Sequence, residues 1–343
     1  FKTIASFKST QNQCIEYDVL VIDECSTVSN SDMRKVLERA KIKLLILVGD
    51  VSQIESISFG NWFCMARNFV PSNSIIELKH SYRTQNQNLL TLWERVRNAD
   101  NAMLEIMVKS KYSMRLDESI FSYMDDDEII LCLNYDGLYG INNINRFLQS
   151  SNPNESITWG INTYKVGDPI LFNESNKFSP LIHNNSKGKI VAIKVEEQRI
   201  SFHIELEEAI NEIDAQGYDF ELIGISQNGH SIISFSINKL RSTDEDDDDN
   251  DSTVVPFQVA YAVSIHKAQG LEYDSVKIVI TNETEERITH NIFYTAITRA
   301  RKKLKIYWSP ETEQSVLSRL EAKNNNKDAF LLSQLSTLQI ISK

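Results

Sequence analysis

Short, wholly apolar runs ending in polar residues recur along this chain. The first, Val19-Leu-Val-Ile22, is mostly β-branched and predicts a strand buried on both faces, as in a parallel sheet. Ser29 to Ala40 alternates at helical spacing, with Met33, Val36, Leu37 and Ala40 on one face and Ser29 placed to cap. Ile42 to Val48 predicts the next buried strand. Asn61–Arg67 reads as a core helix, Ile75–Thr84 as a strand and Leu89–Val96 as a helix. Asp125–Glu128 reads as a solvated acidic loop, Ile129–Leu133 as a strand and Tyr139–Gln149 as a helix. From Tyr164 the runs are short, β-like and separated by Asn, Ser and Gly, which predicts a small antiparallel barrel. Pro256–Ser264 and Val276–Ile280 return to buried strands. Tyr294–Arg301 reads as a helix with a basic end, leading into a strand, and residues 310–343 as a Leu-rich helical tail.

The polar residues at the strand ends carry the candidate chemistry. Asp23 and Glu24 follow the first strand, and Gly49-Asp50-Val-Ser-Gln53 follows the second. In open α/β sheets the carboxyl edge is where ligands sit. A carboxylate there can hold Mg²⁺ beside a phosphate, and a second can activate water. Tyr82-Arg83 offers a ring to stack on a base and a guanidinium to reach a phosphate. His266, Lys267 and Gln269 offer donors, Gly270 a close backbone approach, and Glu272 an acceptor for a ribose hydroxyl. Arg299 lies in the basic segment that closes the pattern.

Length and composition then narrow the reading. At 343 residues two or three domains are expected. Hydrophobic content of 41% and charged content of 24% are ordinary for a globular protein. No apolar run approaches the length of a membrane helix. The four cysteines are scattered without a CxxC pair, so a metal cluster is not expected and a reducing cytoplasm is. The net charge of −11 argues against a general nucleic-acid coat. Seven of the acids crowd into 244–251, a stretch that reads as disordered by composition, and without them the balance is only −4. A local basic groove remains compatible with that.

Taken in order, Val19–Ser26, Leu47–Gln53, Leu78–Thr84, His266–Val276 and Tyr294–Leu304 resemble motifs II to VI of superfamily 1 DNA helicases. The middle, with Lys165–Phe172 and Ser186-Lys-Gly-Lys-Ile190, resembles the RecD-like branch. The resemblance implies an α/β fold of RecA-like parallel-sheet domains, the first partial, with a small inserted antiparallel β-barrel. Residues 1–72 would complete the first domain, 73–163 and 254–310 the second, 164–253 the barrel, and 311–343 a tail. It implies ATP and Mg²⁺ as cofactors, with Asp23 on the metal, Glu24 activating water, and Gln53 sensing the γ-phosphate with support from Asp50. Arg83 and Arg299 would reach the γ-phosphate, Tyr82, Gly270 and Glu272 would touch the nucleotide, and His266, Lys267 and Gln269 would couple to single-stranded DNA. The implied activity is ATP-driven movement on single-stranded DNA, 5′ to 3′, in repair or recombination, with further subunits as possible partners. RNA is a less favoured substrate, and a non-hydrolysing nucleic-acid or protein-binding module is the rival reading.

One motif is missing. No G-x-x-x-x-G-K-[ST] occurs, and the only Gly-Lys, at Gly188-Lys189, is followed by Ile190 and has His183 at the first glycine position. The opening Phe1-Lys-Thr-Ile lacks a methionine, so we expect a longer parent polypeptide that supplies the missing loop, with a degenerate homologue as the lesser reading; without that loop this fragment is expected to be inactive.

Overall fold

The computed structural model describes residues 14–56, 58, 60–78, 80–122, 127–173, 178–239 and 254–321, with positions 3, 4, 7 and 330. The acidic stretch 244–251 and most of the tail lie outside the described residues. The chain divides into two compact units: residues 1–115 with 272–343, and residues 116–271.

In the first unit, β1 (Ile15–Ile22) pairs in parallel with β2 (Ala40–Leu47), with Val19 opposite Leu44 and Val21 opposite Ile46. The connecting helix α1 (Asn30–Arg39) is capped by Ser29, whose hydroxyl accepts from the Asp32 amide. Met33 and Val36 of α1 pack on Ile22, Cys25 and Val28. Only that face is covered. Val19, Val21, Leu44 and Ile46 are exposed, so the first strand is not buried on both faces as its composition predicts. Among the described residues β1 and β2 pair only with each other, and a single helix can cover only one side of such a ladder. Leu37 also points outward, leaving a narrower apolar stripe than expected.

Helix α2 (Trp62–Ala66) has no fully buried residue; it lies half-exposed, anchored by Trp62 Nε1 donating to the Val28 carbonyl at 2.7 Å. The Ile75–Thr84 stretch forms no strand at its described positions. Ile76 and Leu78 are exposed, because a β-like run without a partner strand has nowhere to place its hydrogen bonds. Helix α3 (Gln87–Arg97) starts where Asn86 accepts from the Asn88 and Leu89 amides, and buries Leu89, Leu92, Trp93 and Val96. Helix α4 (Met103–Lys109) leads to β3 (Ser113–Arg115).

The second unit opens with β4 (Glu128–Cys132), helix α5 (Ile141–Ser151) and the hairpin β5 (Ile157–Trp159) and β6 (Asn162–Tyr164). Glu128, expected in a solvated loop, is buried at the start of β4. Then come β7 (Pro169–Phe172), β8 (Lys187–Val195), β9 (Arg199–Leu206), the short α6 (Glu212–Ala215), β10 (Glu221–Ile225), β11 (Ser231–Asn238), β12 (Phe257–Val259) and β13 (Ala262–Ser264). Strands β7 to β12 form an antiparallel sheet in the order β10-β11-β9-β8-β7-β12, in the region where the sequence predicts a small antiparallel barrel; the pairing is an open order of six strands among the described residues. Its core is a cluster of rings, Tyr164, Phe172, Phe178, Phe202, Phe235 and Phe257. Strand β13 pairs in parallel with β4.

The wholly buried Asp168 ties α5 to this sheet. It accepts from Gln149 Nε2 at 2.6 Å, Asn152 Nδ2 at 2.9 Å, the Lys165 amide at 2.9 Å and the Tyr261 hydroxyl at 2.9 Å. A buried carboxylate is tolerated when its lone pairs are matched in this way.

The chain returns to the first unit with β14 (Tyr273–Val279), helix α7 (His290–Ile297), β15 (Ala300–Trp308) and helix α8 (Pro310–Ser318). Strands β14, β15 and β3 are parallel neighbours. Helix α7 ends before Arg299, and Arg301 belongs to β15, so the basic residues are not a helix end. The Thr298 hydroxyl donates to the Tyr294 and Thr295 carbonyls and closes the last turn. Parallel two-stranded and three-stranded ladders with covering helices make this a RecA-like α/β fold. No helix among the described residues is long and apolar enough to cross a membrane.

Replacing Asp168 by Ala strands four donors, so we expect a loss of about 3 kcal/mol or more in urea unfolding. Tyr261→Phe, which removes one donor and leaves three, should cost about 1 kcal/mol.

Candidate active site

The acidic pair is held by the first strand and the turn after the second. Past the ladder, the Val48 amide donates to the Ile22 carbonyl at 2.9 Å and the Cys25 amide to the Val48 carbonyl at 2.8 Å. Glu24 therefore takes a left-handed conformation, φ 50° and ψ 40°, which costs a non-glycine residue about 1–2 kcal/mol. Local bonds hold it there. Asp23 Oδ1 accepts the Glu24 amide at 2.8 Å, and the Glu24 carbonyl accepts from the Thr27 amide and hydroxyl. Gly49 is required by crowding: a Cβ would lie 2.9 Å from Phe63 Cε1 and 3.0 Å from the Cys25 nitrogen.

In the turn that follows, Asp50 Oδ1 accepts from the Ser52 amide at 2.9 Å, and Asp50 Oδ2 takes a long contact of 3.5 Å from Gln53 Nε2. Gln53 Oε1 accepts from Arg299 Nη2 at 3.3 Å. Arg299 is 1% exposed, and its Nε donates to the Thr295 carbonyl at 2.9 Å. Burial, then repulsion from Arg83, pulls its pKa down to about 10, so it stays charged at neutral pH. Arg83 donates from Nε to Glu272 Oε2 at 2.9 Å and from Nη1 to the Thr298 carbonyl at 2.8 Å.

Glu24 faces this set. Burial raises its pKa first, followed by repulsion from Asp23, while Arg299 and Arg83 act in the opposite direction. One compact unit thus gathers Asp23, Glu24, Asp50, Gln53, Arg83, Glu272 and Arg299. Glu272 is engaged by Arg83 and lies 3.6 Å from Arg301 Nη1, a cationic setting for the group read as a ribose acceptor. Tyr82 is 95% exposed beside an open cleft of about 590 Å³ that Arg83, Asn86, Asp274, Arg301 and Lys302 also line. Asp274 is paired with Arg301 at 2.9 Å and Lys302 at 2.7 Å.

His266, Lys267, Gln269 and Gly270 stand in the other unit, on the segment after β13. His266 is exposed. Lys267 Nζ donates to Gln258 Oε1 at 2.7 Å. Gly270 has φ +80°, a left-handed backbone that favours glycine, and a Cβ there would meet no protein atom within 4 Å.

Two residues escaped the sequence reading. Asn291 Nδ2 donates to the Val51 and Gln53 carbonyls, and Thr295 Oγ1 accepts from the Ile54 amide. Their spacing to Arg299, four residues apart in each step, was the available signal.

Asp23 is exposed at the strand end and offers hard oxygen donors, which suits Mg²⁺. Among the described residues no three His, Cys, Asp or Glu cluster as a cage, and Mg²⁺ beside phosphates needs only one or two carboxylates.

The model of the UvrD-like helicase C-terminal domain matches residues 259–307, and that of an AAA domain matches residues 1–113. The RecD subunit of the RecBCD enzyme from Mycolicibacterium smegmatis is 23% identical over 348 residues, covering 92% of this chain and 54% of the relative. The RecD subunit from Buchnera aphidicola is 22% identical over 390 residues, covering 93% and 58%. The chain is thus similar to RecD-type helicases of superfamily 1. It spans about half the length of the curated relatives it matches. In fold it is similar to the Pif1 helicase from Bacteroides solved with ADP-AlF3 and ssDNA, with a TM-score of 0.54, 16% identity, and 93% of this chain and 76% of that one covered. The Pif1 helicase from Candida albicans gives 0.53, with the same identity and coverage.

The raised pKa of Glu24 gives a pH prediction. A carboxyl with a raised pKa binds more protons folded than unfolded, so stability falls as pH rises from its ordinary value of 4.5 through the folded value. Glu24→Gln should therefore exceed the wild type in stability at pH 7, with the advantage vanishing below about pH 4 in parallel urea titrations.

Proposed function

We propose that this chain supplies motifs II to VI of an ATP-dependent DNA helicase or translocase, coupling nucleoside triphosphate hydrolysis to movement along single-stranded DNA. The observation that carries the reading is the convergence of Glu24, Gln53, Arg83 and Arg299 in one cluster, from four separate stretches of chain. Phosphoryl transfer needs positioning and charge neutralisation, and a buried guanidinium beside a carboxylate is suited to both.

In this reading residues 1–72 bring motifs II and III, while 73–163 and 254–310 bring motifs IV to VI. Glu24 orients and deprotonates the attacking water; its raised pKa makes it a better base than an exposed carboxylate. Gln53, oriented by Arg299 and Asp50, holds the γ-phosphate, and Arg299 and Arg83 neutralise the charge that develops on it. Asp23 would hold Mg²⁺, which when bound neutralises phosphate charge. Arg83 must exchange Glu272 for phosphate on binding, so nucleotide competes with that ion pair. Tyr82 offers its exposed ring to the base, with Gly270 and Glu272 on the nucleotide side. His266, Lys267 and Gln269 face single-stranded DNA. We also propose 5′ to 3′ movement, a cytoplasmic setting and further subunits, in keeping with relatives named as RecBCD subunits.

A second reading, a module that binds nucleic acid or protein without hydrolysis, is favoured by one observation: the chain carries no Gly-rich Lys-Ser/Thr loop to cradle phosphates. We accordingly expect no appreciable ATPase activity from this chain alone, and turnover above that of Glu24→Gln would contradict this.

The full-length protein is expected to hydrolyse ATP faster when single-stranded DNA is added. Arg299→Ala should lower turnover by about 10³-fold or more while nucleotide affinity changes little. Absence of DNA stimulation in a coupled phosphate-release assay would favour the second reading.

A further inference from the structure

Helix α7 does more than end near Arg299. On its inner side, Asn291 is 6% exposed and Thr295 is fully buried. Asn291 Nδ2 donates to the Gln53 carbonyl at 2.7 Å and to the Val51 carbonyl at 3.3 Å. An amide nitrogen has two hydrogens to give, and here both go to one turn. Thr295 Oγ1 accepts from the Ile54 amide at 2.9 Å, and the Thr295 carbonyl accepts from Arg299 Nε at 2.9 Å. Three backbone groups in and beside Gln53 are thus bound to the same helix that orients Arg299. Within the turn itself, the Gln53 amide donates to the Asp50 carbonyl at 3.2 Å and the Ser52 amide to Asp50 Oδ1 at 2.9 Å. Those two bonds shape the turn, and neither fixes it to another element.

We infer that Asn291 and Thr295 are positioning residues that lock the Val51–Ile54 turn to α7, so that Gln53 and Arg299 are presented to the γ-phosphate as one rigid pair. This rests on the reading of the cluster as an ATP site. The chemical reason is geometric. The Gln53–Arg299 contact, at 3.3 Å, is too long to fix its partners by itself. A turn free to shift by about an ångström would carry the Gln53 amide away from the phosphate and break the contact through which Gln53 and Arg299 Nη2 hold one another. Neither Asn291 nor Thr295 has to touch nucleotide for this. Asn and Thr are also poor choices for a buried helical face on propensity alone, so their hydrogen bonds to the turn account for their presence.

The test uses the full-length protein and four variants, Asn291→Ala, Thr295→Val, Thr295→Ser and Glu24→Gln, with ATP hydrolysis measured over a range of ATP concentrations and folding checked by thermal melting. Thr295→Val keeps volume and removes the acceptor; Thr295→Ser keeps the acceptor. The inference expects kcat to fall about tenfold or more in Asn291→Ala and Thr295→Val, with KM within about twofold. Thr295→Ser should stay near the wild type and Glu24→Gln should be inactive. The inference alone is overturned if the wild type turns over, Glu24→Gln is dead, and Asn291→Ala and Thr295→Val match the wild type. It is also overturned if Thr295→Ser loses as much as Thr295→Val, since packing would then account for both. A wild type that does not hydrolyse ATP overturns the ATP-site reading, and this inference with it.

Discussion

The site depends on one buried charge. Arg299 has lost nearly all contact with water, and a guanidinium in that position is tolerable only if its donors are matched and carboxylates lie near. The match comes from the Thr295 carbonyl, the Thr298 hydroxyl and Gln53 Oε1. The nearby anions are Glu24 and Glu272, which hold its pKa up against burial and against Arg83. Each of these constraints fixes something else. Gln53 must present its oxygen, so its turn must be held. Glu24, whose left-handed backbone the Asp23 and Thr27 bonds maintain, lies within electrostatic reach of the cation. The electrostatics are unbalanced: the Arg83 and Arg299 guanidiniums lie close enough to repel, and Glu24 and Glu272 compensate only in part.

Much of this was legible in the sequence, because it is local. The runs at Val19 and Ile42 form strands, and the acids and the Gly49-Asp50 turn sit at their carboxyl ends, where a parallel sheet leaves polar groups facing solvent. Gly49 is glycine for a reason a sequence can suggest but not specify: Phe63 and Cys25 fill the space a side chain would need. Arg83 and Arg299 were legible through the order of motifs and not through their own surroundings.

What was not legible is long-range. The pairing of Arg83 with Glu272 joins residues 189 apart, and Asn291 reaches the Gln53 carbonyl across 238. No periodicity reports such bonds. Ile75–Thr84 has the composition of a strand, yet strands require a neighbour to receive their hydrogen bonds, and at its described positions it has none. The exposure of Val19 and Val21 has the same origin, since residue type indicates what a strand would prefer to bury, not what is present to bury it. The basic run at 299–302 shows the reverse case: a helical pattern ended by Thr298, after which the chain joins a sheet.

The central claim is that Glu24, Gln53, Arg83 and Arg299 form a site complementary to a phosphoryl group in transfer. It is tested most directly by comparing, in the full-length protein, the calorimetric affinity for Mg·ADP with that for Mg·ADP plus aluminium fluoride. Complementarity to the transferring group predicts markedly tighter binding of the analogue, at least about tenfold, and loss of that margin in Arg299→Ala with ADP affinity retained. Equal affinity for ADP with and without aluminium fluoride in the wild type, or an analogue margin unchanged in Arg299→Ala, would contradict it.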